Sequence, residues 1–182
     1  MKEYVKIKCL GKVVVSFCLL FLASGLTEFS FAQDTLKGGT LTWGLSVDVQ
    51  MMDPIRSVWM TDATKLIYER LVTINPETGE YVGELAKSWE VSEDGLIWTF
   101  HLKKGVHFHD GTPFNAQAAK WVYDKIIEKK PFISVELQSV KEILASDDYT
   151  LVFKLKNPDV NLLFGLSNVY TGIFSPAAYK KY

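Results

Sequence analysis

Two stretches of alternating apolar residues, each broken by a short acidic turn, do most to limit what this chain can fold into. In SWEVSEDGLIWTFHL, Trp89 and Val91 alternate before Glu93-Asp94-Gly95, and Leu96, Trp98, Phe100 and Leu102 alternate after it. Alternation of period two around an Asp-Gly reversal specifies a β-hairpin, and its apolar face must be buried. EILASDDYTLVFKL repeats the device, with Ser146-Asp147-Asp148 as the turn and Leu151, Phe153 and Leu155 on one face. Between the two, Asn115 stands where a cap is needed for a helix carrying Ala118, Ala119, Val122 and Ile126, which ends before Pro131. The organisation is mixed α and β.

The flanking segments fit that reading. GGTLTWGL alternates Leu41, Trp43 and Leu45 against Thr42 and Gly44, as a first strand would. After MMDP, whose Pro54 biases Asp53 away from helix, Thr61 or Asp62 can cap a helix near 62–71 with Leu66, Ile67, Arg70 and Leu71 at helical spacing. TINPETGEY reads as a tight turn between short extended pieces, since Pro76 presets its own φ and Gly79 supplies a positive one. Pro176 starts a further helix. No repeat or low-complexity linker interrupts Gly38 to Tyr182, so this is one continuous globular segment.

The N-terminus points to export. Lys2, Lys6, Lys8 and Lys12 precede an apolar run from Val13 to Leu26, shorter than the about 20 residues a membrane helix needs. Ser30 and Ala32 hold the small positions before a cleavage site, which places cleavage after Ala32 and the product in the periplasm. Cys18 lies inside the run rather than just after it, which argues against a lipid anchor. Cys9 and Cys18, the only two cysteines, leave with the signal, so the mature chain has no thiolate for catalysis or metal. With 20 basic and 21 acidic residues there is no basic patch to suggest nucleic acid.

The candidate chemistry is sparse. In HLKKGVHFHDGTPF, His107 and His109 at i and i+2 could face one ion with Asp110 beside them. Three ligands without a fourth make a weak zinc signature, however, and Asp110-Gly111 followed by Pro113 is a good turn in its own right, so no metal is assigned. Glu93 and Asp94 resemble a hydrolytic carboxylate pair, but a hairpin turn makes them solvated turn residues. There is no nucleophile elbow, no H-E-x-x-H and no glycine-rich phosphate loop.

LAKSWEVSEDGLIWTFHLKKGVHFHDGTPFNAQAAKWVYDKI, with the upstream MMDP and YERLVTINPETGEYVGELA, resembles the extracytoplasmic solute-binding proteins of ABC importers, family 5, the dipeptide, oligopeptide and nickel type. The resemblance runs over essentially all of Gly38 to Tyr182 and includes, in order, the Asp-Pro, an AKSWE helix end, the hairpin and the DGTPF entry to a helix. It implies an α/β, periplasmic binding protein-like clamshell (class II type, cluster C), of which this chain holds part of lobe 1 and the accessory domain. The implied layout is a signal peptide over 1–32, the start of lobe 1 over 33–47, the accessory domain over 48–166 and a truncated return to lobe 1 over 167–182. The HDGTPF stretch is then scaffold. Members are several times longer, so the chain reads as an N-terminal fragment, expected to hold ligand poorly alone because half the enclosing surface is absent.

The implied activity is binding without bond breaking or cofactor: a substrate-binding component that takes short peptides or other small molecules and hands them to ABC permease subunits in the membrane. A monomer with no nucleic-acid partner is expected. Alternatives are a nickel, metal-chelate or sugar carrier on the same fold, since the fold does not fix the ligand, or, from another class, a secreted hydrolase. The resemblance places ligand contacts in the loop after the Asp-Pro, at Arg56, Ser57, Val58, Trp59 and Met60, and at an aromatic after the long helix, matched by Phe132. Trp59 and Met60 suit a pocket that accepts varied side chains, and Arg56 carries a carboxylate-binding fork. Asn168 and Tyr170 form a third candidate wall after an apolar helix.

Overall fold

The computed structural model describes residues 40, 42, 55, 65–129 and 137–181. Every element of the described residues lies in the compact unit Gly44–Tyr182; of the other unit, Met1–Trp43, only Thr40 and Thr42 are described, both exposed. Apart from Thr40 and Thr42, which are in no strand, the first strand expected in GGTLTWGL falls outside the described residues, as does MMDP.

A two-stranded antiparallel ribbon comes first, β1 (Val72–Ile74) against β2 (Tyr81–Gly83). Its turn is built as the sequence suggested: the Asn75 side chain accepts from the amides of Glu77 and Thr78 at 2.9 and 3.3 Å, and Gly79 closes it at φ +73°. The helix expected near 62–71 does not extend to 71, and residues 62–64 lie outside the described residues. Among the described residues of that stretch only Lys65 is helical, and Tyr68–Arg70 are irregular. The backbone there pairs at long range instead: the Arg70 carbonyl takes the Leu85 amide, the Leu71 carbonyl takes the amides of Glu84 and Ala86, and the Arg70 amide donates to the Glu84 carboxylate. Those partners are denied to a helix, so tertiary pairing overrides the local periodicity.

The main sheet has four antiparallel strands in the order β3 (Ala86–Val91), β4 (Ile97–Leu102), β6 (Thr150–Leu155), β5 (Val140–Asp147). AKSWE, expected as a helix end, is therefore the first part of a strand, which is what the alternation of Trp89 and Val91 favours. Cross-strand register sets Trp89 opposite Phe100, Phe100 opposite Leu151 and Phe153 opposite both Trp98 and Ile143. Trp98, Phe100 and Leu102 are buried as expected, whereas Val91, at the hairpin tip, is 44% exposed. In that tip Asp94 accepts from the Ser92 hydroxyl at 2.6 Å and the Leu96 amide at 3.0 Å, and the Ser92 bond leads in lowering its pKa. The second tip turns at Asp148-Tyr149, with Asp147 accepting the Tyr149 amide at 2.7 Å.

Helix α1 (Ala116–Lys129) starts where Asn115 accepts the Ala118 amide at 2.8 Å, and it buries Ala116, Ala119, Val122, Tyr123 and Ile126. Those residues share one face at helical spacing and pack on the sheet. Tyr123 and Phe100 each meet the Phe153 ring edge to face, at 5.4 and 5.5 Å between centroids. After β6 come α2 (Leu162–Ser167), a 3₁₀ turn (Val169–Thr171) and α3 (Pro176–Lys181), which begins at the proline as expected.

Candidate functional site

Two parts of the chain far apart in sequence run side by side. The segment entering β1 and the segment leaving the 3₁₀ turn are joined by the Ile173 amide, which donates to the Glu69 carbonyl at 2.8 Å. They touch closely enough that a β-carbon on Gly172 would lie 2.7 Å from that of Tyr68. Beside this crossing, Arg70 grips Glu84 through both ends of its guanidinium, Nε to Oε2 at 2.8 Å and Nη2 to Oε1 at 3.1 Å, with both side chains largely buried.

A cleft of about 1020 Å³ opens between three segments: Leu66–Glu69, Val106–Asp110 and Ile173–Tyr179. Its walls are mostly apolar. Phe108 meets Phe114 edge to face at 6.0 Å, and Trp121, outside the lining, braces Phe174 and Tyr179 at 6.2 and 5.5 Å. The polar lining comprises Glu69, His107, His109, Asp110 and Ser175.

Asp110 organises that polar end. Its Oδ1 accepts from the Thr112 amide at 2.9 Å and the Thr112 hydroxyl at 2.6 Å, while its Oδ2 accepts from the Ser175 hydroxyl at 2.5 Å. These bonds, Ser175 first, draw its pKa from 3.8 down to about 2. Ser175 in turn takes the amides of Ala177 and Ala178 at 3.2 and 3.1 Å, capping α3. Its one proton therefore goes to a carboxylate rather than an imidazole, an arrangement that holds structure and does not activate a nucleophile. A carboxylate ionised this firmly is equally ill suited to shuttle protons near neutrality. The His107 ring lies 3.1 Å from the Gly105 carbonyl, and among the described residues no group of three His, Cys, Asp or Glu is arranged to hold a metal ion.

Of the ligand contacts expected from sequence, Arg56, Ser57, Val58, Trp59, Met60 and Phe132 lie outside the described residues. Asn168 and Tyr170 sit half-buried at the junction of α2 and the 3₁₀ turn, where the Asn168 side chain accepts the Tyr170 amide at 3.1 Å and its carbonyl accepts the Thr171 hydroxyl at 2.8 Å. They are thus brought together with each other, and neither lines the cleft. The Asp110–Ser175 link escaped the sequence reading because it joins positions 65 residues apart; only the turn chemistry of HDGTPF signalled that Asp110 would accept hydrogen bonds.

Comparison with known proteins places this geometry. Residues 80–182 match the family model of bacterial extracellular solute-binding proteins, family 5 (middle). The chain is 31% identical over 175 residues to the probable D,D-dipeptide-binding periplasmic protein DdpA of Escherichia coli, covering 92% of this chain and 34% of that protein. NikA from Brucella suis, solved in complex with Fe(III)-EDTA, superposes with a TM-score of 0.67 at 28% identity, over 75% of this chain and 28% of NikA. The periplasmic binding protein DppA from Helicobacter pylori, solved with the peptide STSA, gives 0.61 at 28% identity, over 71% of this chain and 30% of DppA. The chain thus spans about a third of the length of these relatives.

Proposed function

This chain belongs to the bacterial extracellular solute-binding proteins of family 5, and from that premise we propose that it is part of the substrate-binding component of an ABC importer that takes short peptides in the periplasm and delivers them to membrane permease subunits. The observation that carries the reading is the similarity to a probable dipeptide-binding protein over 92% of the chain, supported by a fold shared with a binding protein solved around a peptide. The mechanism is enclosure: a ligand is held where lobes meet, affinity comes from surface removed from water on closure, and no bond is broken. The loop Arg56–Met60, Phe132, Asn168 and Tyr170 supply contacts from this chain. Cleavage after Ala32 delivers the protein to the periplasm as a monomer.

The test is to purify the protein from the periplasm, identify co-purifying ligand by mass spectrometry, and titrate di- and tripeptides by calorimetry. Saturable binding by the whole subunit that carries this segment, with the peptide recovered intact, is expected, and weak binding by this segment alone. Peptide hydrolysis would sink the binding-protein reading, and retention of a metal chelate in place of peptide would move the ligand class to the carrier alternative.

A further inference from the structure

We propose that Asp110 is a latch: by holding the Ser175 hydroxyl, it fixes the segment that returns after β6 to the 107–113 turn, so that this segment and the four-stranded sheet move as one body. All three groups that meet Asp110 are donors, the Thr112 amide, the Thr112 hydroxyl and the Ser175 hydroxyl, and they use both carboxylate oxygens. The Thr112 amide can only donate, and the Ser175 oxygen already receives the Ala177 and Ala178 amides, so an amide in place of the carboxylate sets its NH2 group against an oxygen with no lone pair to spare. Ser175 is 8% exposed, so its hydroxyl has little access to water as a substitute. The same oxygen caps α3 through Ala177 and Ala178, so the latch seizes the returning segment at its helix start.

A second, independent tie closes the arrangement. The Ile173 amide bonds the Glu69 carbonyl, and Trp121 on α1 packs against Phe174 and Tyr179 on either side of Ser175. The returning segment is thus held on one flank by the sheet's own helix and on the other by the turn that leads into that helix. The motif that drew attention for its histidines therefore acts through its aspartate. On the ligand-binding reading above, one consequence follows: closure hinges outside this crossing.

The Ile173 amide reports on the latch without belonging to it, so hydrogen exchange on the unliganded protein is the measurement, and it stands whether or not peptide is the ligand. Asp110→Asn is expected to speed exchange at Ile173 and Tyr179 by about tenfold or more while amides of β4 and β6 keep wild-type protection. Ser175→Ala, which leaves the Asp110–Thr112 turn intact, is expected to do the same, and the double variant should release the segment no further than Ser175→Ala alone. Unchanged exchange at Ile173 in either variant overturns the latch. Equal acceleration across β4 and β6 overturns it too, by making the pair general scaffold, and so does an additive double variant.

Discussion

A carboxylate that receives three hydrogen bonds is stabilised in its charged form, and Asp110 shows what that means for acid sensitivity. Its folded pKa is about 2 against an ordinary 3.8, a depression led by the Ser175 bond. A depressed carboxylate contributes stability that is fully present above its unfolded value and is lost as pH falls through the folded one. The link to α3 should therefore hold unchanged from neutral pH to about 4 and fail between there and about 2. Protection of the Ile173 amide, followed down the pH scale, is expected to stay flat and then drop in that window, whereas Asp110→Asn shows no such drop. Glu69, His107 and His109 line the same cleft and stay in place in Asp110→Asn, so a drop of the same size in that variant would take the acid sensitivity away from Asp110.

Among the elements, the centre of the sheet carries most of the packing. Phe153 is fully buried on β6 and touches Phe100 across the sheet and Tyr123 from α1. Phe153→Ala is expected to cost about 3–5 kcal/mol, read as a lowered denaturant midpoint with unchanged slope. A wild-type midpoint would show that α1 does not rest on this ring. Gly172 tests the crossing in the same way: with only 2.7 Å from its ideal β-carbon to that of Tyr68, Gly172→Ala must push two backbones apart, and a loss of about 1–3 kcal/mol is expected. These elements differ in how far the sequence reveals them. The two hairpins and α1 were legible because their signals are local: alternation, Asp-Gly at a tip, Asn115 before an apolar stripe. The segment around Arg70 and Leu71 was not, because its hydrogen bonds go to Glu84, Leu85 and Ala86, and helical spacing says nothing of partners that far along the chain. The Asp110–Ser175 link is hidden for the same reason.

On the scale of the whole molecule, the described residues hold a four-stranded sheet with its helix, and the chain spans about a third of the relatives' length. Family membership was readable because several sheet and turn signals occur in order, each tied to a fold requirement. Ligand contacts are harder to read, since a contact residue answers to a molecule rather than to the chain's own packing, and Trp59 fits either demand. Two measurements on one variant separate them. If Trp59 faces ligand, Trp59→Ala removes an aromatic anchor and should weaken peptide binding roughly tenfold or more while the melting temperature is kept. If it packs inside the protein, the same change opens a cavity, so the melting temperature falls and each folded molecule binds as before. Asn168→Ala serves as the control of opposite character. Its side chain caps the 3₁₀ turn through the Tyr170 amide, so it is expected to lower stability by about 0.5–2 kcal/mol whatever its part in binding. A change in affinity beyond that fall would place Asn168 in the ligand wall, and affinity unchanged per folded molecule would leave it a cap.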